Sequence, residues 1–335
     1  MARTPTVRLA VLAAASVLAA GCSAMNSGDD GGTVTLSFAN SYTTQHPHSR
    51  CGIQAVADAV NGQDLGVKIE TFPNSQLGND ATRFTSVRSG DLDMDVQGSS
   101  ALAASHAPIG VLDMAYVFDG PDHLFSFFDG EQGKRLKAEF AEATGTRILD
   151  VWFFGMRHFS ANSPIREPGD FKGLRMRFPD SKVYLENAKA IGAKPTAVAF
   201  EELYLSLQRK IIDGQENPIP TIAEKSLDEV QTHVSLTGHQ TGSQMIVIND
   251  GSWKKLSTEQ QAALQKAVSE TRAGNRKCIE EDEKKILAEW KGKGEPAVVE
   301  DVDRTAFAEK ARKYFGETLE GEQAELFKMI RSTAP

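Results

Sequence analysis

Three short stretches hold the residues best suited to chemistry: Gly155-Met156-Arg157-His158-Phe159-Ser160, Gly173-Leu174-Arg175-Met176-Arg177-Phe178-Pro179 and Asp213-Gly214-Gln215-Glu216-Asn217-Pro218. Three guanidinium groups and a side-chain amide stand beside glycines and prolines, outside any helix interior. Arginines at the ends of short apolar runs suit a site for a small carboxylate. A guanidinium offers a planar fork that matches a carboxylate in two parallel hydrogen bonds, which an ammonium cannot do. The amide of Asn217 adds one donor group and one acceptor. The sequence has no G-x-S-x-G elbow, no phosphate-binding P-loop, no H-E-x-x-H and no G-x-G-x-x-G after a strand. That favours binding over catalysis.

The elements that must position these groups follow a β-α rhythm. Val34 to Ala39 and Val67 to Phe72 alternate as strands, and Leu92 to Val96 is a third. Between them, Ser49 to Val60 and Asp80 to Ser89 read as helices. After Gly155 the rhythm returns: strand Leu174 to Phe178, helix Lys182 to Ile191, strand Thr196 to Phe200, helix Glu201 to Gln208, then a Gln-Glu-Asn-Pro turn. Ser243 to Asn249 is a strand returning to the first half, and Thr258 to Trp290 is one long helix interrupted only by Gly274. The pattern predicts an α/β fold of two lobes, with mixed, mostly parallel sheets flanked by helices. Such sheets bind ligands at the carboxyl ends of their strands, where Asn40, Gln97 and Gly155 are placed.

The order and spacing of these motifs resemble the solute-binding subunit of TRAP transporters (tripartite ATP-independent periplasmic, DctP type). The resemblance runs from about Val34 to about Glu289 and is densest from Phe154 to His239. It implies a two-lobe periplasmic-binding-protein fold whose long C-terminal helix spans both lobes. It also implies capture of a small organic acid in the interlobe cleft and delivery to an ion-gradient-driven permease. It puts the principal carboxylate arginine at Arg177, with Arg157 and Asn217 as further ligand contacts. Asn40, Gln97 and Phe200 are secondary candidates where the strands approach the cleft. Residues 33–154 with 243–282 form lobe I, and 155–242 with 283–335 form lobe II. The resemblance implies no cofactor and no catalysis. Alternatives are a receptor for an ATP-driven transporter or sensor kinase, or an exported lipoprotein enzyme acting on a small acid. Asp113-Met114-Ala115-Tyr116 departs from the apolar-Pro-Phe run usual in the family, and Arg209-Lys210 replaces small residues.

Each candidate has a plainer reading. Arg177 by itself reads as a surface ion pair, Asn217 as a turn former before proline, and Trp152-Phe153-Phe154 as core. Arg175, set on the opposite strand face from Arg177, is read as a surface or hinge pair, and Glu216 as a group positioning Asn217 or Arg157. His46 and His48 lack the further clustered ligands of a metal site. Asp91, Asp93 and Asp95 open like a calcium loop, but Val96 stands where its glycine belongs and Leu102 where its glutamate belongs. A strand with one solvated face explains them better.

The ends and the composition set the compartment. Arg3 and Arg8 precede an apolar run from Leu9 to Ala20, an export signal covering residues 1–21. Ala20-Gly21-Cys22 is a lipobox-like site, so Cys22 is read as lipidated and tethered to the membrane. Residues 22–32 form a polar leash. Removing Arg3 and Arg8 from 37 basic residues leaves 35 against 45 acidic ones, a net charge near −10. That opposes binding to nucleic acid. Cys51 and Cys278 are either bridged or two free thiols.

Overall fold

The computed structural model describes residues 33–334, so the export signal, Cys22 and the leash lie outside the described residues. The strands are β1 (Val34–Ala39), β2 (Val67–Phe72), β3 (Met94–Gln97), β4 (Thr146–Ala161), β5 (Arg175–Phe178), β6 (Lys194–Ala197), β7 (Gly214–Pro218), β8 (His233–Asn249) and β9 (Ala297–Val299). They form one hydrogen-bonded sheet in the order β2-β1-β3-β8-β4-β7-β5-β6, with β9 against β8. The two sheets expected from the sequence are therefore joined. The joint is the antiparallel pair β4 and β8, strands of 16 and 17 residues that run through both halves. At one flank β1 pairs in parallel with β2 and β3, and at the other β5 pairs in parallel with β6 and β7.

Local chemistry explains the sharper boundaries. The helix Asp80–Ser89 starts where the Asn79 side chain accepts from Thr82 N at 3.0 Å. It stops at Gly90, which adopts φ +87°. The helix Lys182–Ile191 repeats this plan, with Ser181 as cap and Gly192 at φ +91°. Gly155 is not at a strand end but inside β4, at a register shift between Phe153 and Gly155. Its φ is +115°, and a Cβ there would come within 2.7 Å of Pro218 Cβ. Only glycine fits this bend, which re-aims the chain just before Arg157. The Gln-Glu-Asn-Pro segment, expected as a turn, is strand β7. It is paired to β4 on one side and β5 on the other, so backbone pairing overrides its turn-forming composition.

Three apolar cores flank the sheet. One holds Leu36, Phe38, Val56 and Trp152, a second Phe128, Phe159, Phe178 and Phe315, and a third Leu203, Ile219, Ile222 and Val234. The helix Thr258–Lys293 continues through Gly274 and ends three residues beyond Trp290. It is 36 residues long, about 54 Å at 1.5 Å per residue. Leu264 and Val268 enter the first core and Trp290 the third, so one rigid element is anchored in both halves. No helix among the described residues is long and apolar enough to cross a membrane.

Cys51 and Cys278 are bonded to each other, which settles the open choice about them. The bridge ties the turn His48–Ile53 to the middle of the long helix, 227 residues away in sequence. A cross-link closing so long a loop removes conformations chiefly from the unfolded chain. Replacing Cys51 and Cys278 together by serine is expected to cost about 2–4 kcal/mol in urea unfolding. An unchanged midpoint at equal slope would show that the bridge contributes nothing.

Candidate functional site

Arg157 lies in β4 with Pro218 of β7 on one side and Gln240 of β8 on the other. Glu216 is its diagonal neighbour across the β4–β7 ladder. Arg157 Nε donates to Glu216 Oε2, and Nη2 donates to Oε1 at 2.7 Å and to the Glu216 carbonyl at 2.9 Å. Nη2 also reaches Asn217 Oδ1 at 3.0 Å. Aromatic faces complete the enclosure: the guanidinium carbon is 5.1 Å from the Tyr184 ring centroid and 5.6 Å from that of Phe154. Burial alone would push the Glu216 carboxyl up, but Arg157 and His239 hold it below the usual carboxylate range. His239 Nε2 stands 3.4 Å from Glu216 Oε2, and its ring stacks on Phe159. Glu216 thus positions Arg157, as the sequence suggested.

Arg177 is placed differently. It is 2 % exposed, and its Nε donates to the Val198 carbonyl at 2.9 Å. Among the described residues no carboxylate lies within ion-pair distance of it, although of the other buried arginines Arg157 has Glu216 and Arg83 has both Asp80 and Asp95. Burial pulls the Arg177 guanidinium down to about 10, with Glu216 opposing the fall and Arg157 adding to it. It stays a cation at neutral pH, enclosed and without an internal counter-ion. That is the arrangement of a socket for an anion.

Arg175 and Arg177 do not face apart as expected, since residues two apart on a strand share a face. Position along β5 separates them instead. Arg175, at the exposed start, pairs with Asp213 at 2.8 Å, while Arg177 lies within the buried part. The surface-pair reading of Arg175 stands on that contact.

The secondary candidates divide. Asn40 is buried after β1, its Oδ1 accepting from Tyr42 N at 2.8 Å and Ser49 Oγ at 3.2 Å. Gln97 ends β3 with Nε2 donating to the Asp80 carbonyl at 2.9 Å and to the Asp95 carboxylate. Its buried Oε1 has no partner among the described residues. Phe200 lies two residues beyond Val198, edge-on to Tyr42 at 6.3 Å and beneath the Lys225 ammonium at 4.5 Å. Asp95 is no solvated strand residue: it is fully buried beside Arg83, with Nε 3.1 Å from Oδ1. Burial still drives its carboxyl up, to about 7, against the pull of Arg83. The departing segment at Asp113 is packed inside, where that carboxylate accepts from Ser100 N at 2.8 Å and Ser243 Oγ at 3.0 Å.

Sequence reasoning missed Tyr42, Tyr184 and Gln244. Tyr42 follows β1 by the same rule that nominated Asn40, and Gln244 Nε2 hydrogen-bonds its hydroxyl at 2.9 Å. Nothing in the sequence marked Tyr184. Tyr42 belongs to an aromatic cluster with His46, His48 and Phe154, and Trp152 lies under His48. Phe154 therefore faces the site, while Trp152 is core.

Residues 53–321 match the family described as bacterial extracellular solute-binding protein, family 7 (DctP). The chain belongs to that family, whose members are solute receptors and not enzymes. It is 32 % identical over 240 residues to the sialic acid-binding periplasmic protein of Vibrio cholerae, covering 71 % of this chain and 75 % of that one. It is 34 % identical over 228 residues to a C4-dicarboxylate-binding periplasmic protein of Rhodobacter capsulatus, covering 66 % and 67 %. A TRAP periplasmic solute-binding protein of Roseobacter denitrificans with bound L-galactonate superposes with TM-score 0.83 at 26 % identity, covering 90 % of this chain and 99 % of that one.

His48 gives this region a pH signature. Its ring is fully buried and neither nitrogen has a partner among the described residues. Burial lowers its pKa from the ordinary 6.5 to about 3. The unfolded chain therefore takes up this proton near pH 6.5, well before the folded chain does. The contribution to stability is present above pH 6.5 and is lost as pH falls towards 3. His48→Phe keeps the stacking and removes the titration. Relative to the parent, the variant is expected to gain about 1.4 kcal/mol per pH unit below 6.5, read by urea unfolding at pH 7, 6 and 5. Parallel curves would contradict this assignment.

Proposed function

We propose that this protein is the solute receptor of a TRAP transporter and holds the carboxylate of a small organic acid on Arg177. The observation that carries this reading is the buried Arg177 guanidinium with no carboxylate beside it, next to an Arg157 already neutralised by Glu216. A ligand carboxylate supplies the missing counter-ion. Charge-assisted pairing in an enclosed site is stronger than in water, and a rigid fork fixes its direction. Arg157 and Asn217, held by one another and by Glu216, add a preset polar edge. Gln97 and Phe200 border the same cleft, and Asn40 supports Tyr42 beside it.

In this reading the lobes are 33–154 with 243–282 and 155–242 with 283–335. Strands β4 and β8 and the long helix connect them, and closure buries the ligand. Closure requires that ligand bind the closed form better than the open one, which a charge paired only on enclosure provides. The receptor then delivers its acid to a membrane permease driven by an ion gradient. Residues 1–21 direct export, and lipid on Cys22 keeps the receptor at the extracytoplasmic membrane surface. The relatives bind sialic acid, L-galactonate and C4-dicarboxylates, ligands that share a carboxylate.

A thermal-shift screen against organic acids tests the reading. At 100-fold its Kd, a ligand is expected to add about 2.7 kcal/mol of stability. The shift is expected to vanish in Arg177→Ala and to shrink in Arg177→Lys, which loses the fork. Stabilisation by uncharged solutes alone, or an acid-induced shift that survives in Arg177→Ala, would overturn it.

A further inference from the structure

The Cys51–Cys278 bridge lies apart from the carboxylate site, and one charged side chain is aimed at both of its sulfurs. Arg50 Nη1 donates to Cys278 Sγ at 2.9 Å and to Cys51 Sγ at 3.0 Å. The guanidinium is held there from its other corners. Its Nε donates to the Gln45 carbonyl at 3.1 Å, and its Nη2 donates to Asp282 Oδ2 at 2.6 Å. Asp282 and Cys278 share the long helix, which thus supplies both a sulfur and the carboxylate that orients the cation.

A disulfide sulfur is neutral and a weak acceptor, so a guanidinium gains little from it. A thiolate is an anion and gains much from a cation beside it. Nη1 therefore interacts more strongly with a broken bridge than with an intact one. Exchange is faster when the departing sulfur is a better-stabilised thiolate. Arg50 is within reach of either sulfur, so it serves whichever one departs.

The bridge is also reachable. Both cysteines are half-buried, the Arg50 side chain is 40 % exposed, and neither cysteine lies in any of the three apolar cores. The turn His48–Ile53 has other contacts to hold it. Asn275 Nδ2 of the long helix donates to the Pro47 carbonyl at 3.2 Å. Gly52 packs so closely on Trp152 that an added Cβ would come within 2.6 Å of the ring.

We propose that the Cys51–Cys278 bridge is a thiol-exchange site, at which a small-molecule thiol forms a reversible mixed disulfide while Arg50 stabilises the departing thiolate. The incoming thiol loses its proton to solvent and attacks one sulfur. A new S–S bond forms, the Cys51–Cys278 bond breaks, and its electron pair stays on the other sulfur, facing Nη1. Return attack by that thiolate expels the small thiol and restores the bridge. Attack by a second thiol molecule instead leaves two cysteine thiols, with the two reagent molecules oxidised to their own disulfide. Either opening unties the turn that carries His48 from the middle of the long helix.

The test incubates the folded, unchanged protein with excess reduced glutathione at pH 7. Rapid alkylation then traps the freed thiol, and mass spectrometry counts alkylated cysteines and glutathione adducts. The bridge is expected to open faster than the protein unfolds globally, with the unfolding rate read from urea kinetics. Arg50→Leu is expected to slow the opening about threefold or more, and Arg50→Lys, which keeps the charge, to slow it less. Opening no faster than global unfolding would make the bridge purely structural and overturn the inference. A rate in Arg50→Leu equal to or above the parent's would overturn it as well, because Arg50 would then only cover the sulfurs. Where Arg50→Leu fails to fold, the reduced unchanged protein decides. One of its thiols is expected to titrate below about 8.5, followed by thiolate ultraviolet absorbance, and two thiols titrating at or above that value would overturn the inference.

Discussion

A guanidinium that is taken out of water needs an anion, and this fold supplies one to Arg157 and withholds one from Arg177. The pairing of Arg157 with Glu216 depends on β7 lying against β4, which places a glutamate diagonally across the ladder from the arginine. The isolation of Arg177 depends on β5 carrying it into the enclosed part of the sheet, where a backbone carbonyl is its only hydrogen-bond partner among the described residues. One arginine is thereby structural and pre-set, and the other is left with unspent capacity. In the proposed reading a bound acid would relieve the unfavourable state of Arg177, so the burial that weakens the empty protein would strengthen its hold on ligand.

The scaffold makes that contrast durable. Strands β4 and β8 pass through both halves of the sheet, so the site residues on them are held by ladders on two sides. The long helix enters an apolar core at each end, and the disulfide fixes its middle to the turn that carries His48. The aromatic cluster of Tyr42, His46, His48 and Phe154 fills the space between that turn and Arg157. Packed rings and paired backbone keep water away from the arginines, which preserves the strength of their electrostatics.

Much of this was legible in the sequence because local rules agreed with the fold. Strands β1 and β2 and the helices at 80–89 and 182–191 have the bounds that the sequence pattern predicts, and caps and left-handed glycines set the helix ends. Arg177, Arg157 and Asn217 were found by residue type and by family resemblance. What escaped was non-local. The length of β4 and β8 and the strand nature of β7 arise from pairing between segments that lie far apart in the chain, from Met176 with Gly214 to Thr146 with Asn249, which no short window of sequence contains. Tyr184 reaches Arg157 from a helix whose amphipathic pattern signals only burial. The burial of Asp95 was hidden because Arg83, its partner, sits on a different element 12 residues away.

The most direct measurement compares, by calorimetry, the tightest-binding acid with its neutral amide, identical in shape but without the charge. If Arg177 is a buried cation awaiting a carboxylate, removing the charge leaves that cation unpaired on closure. The account predicts a loss of about 2–5 kcal/mol, roughly 30-fold or more in Kd. An amide that binds within threefold of the acid would contradict it, and Arg177 would then be a structural arginine and not the anchor.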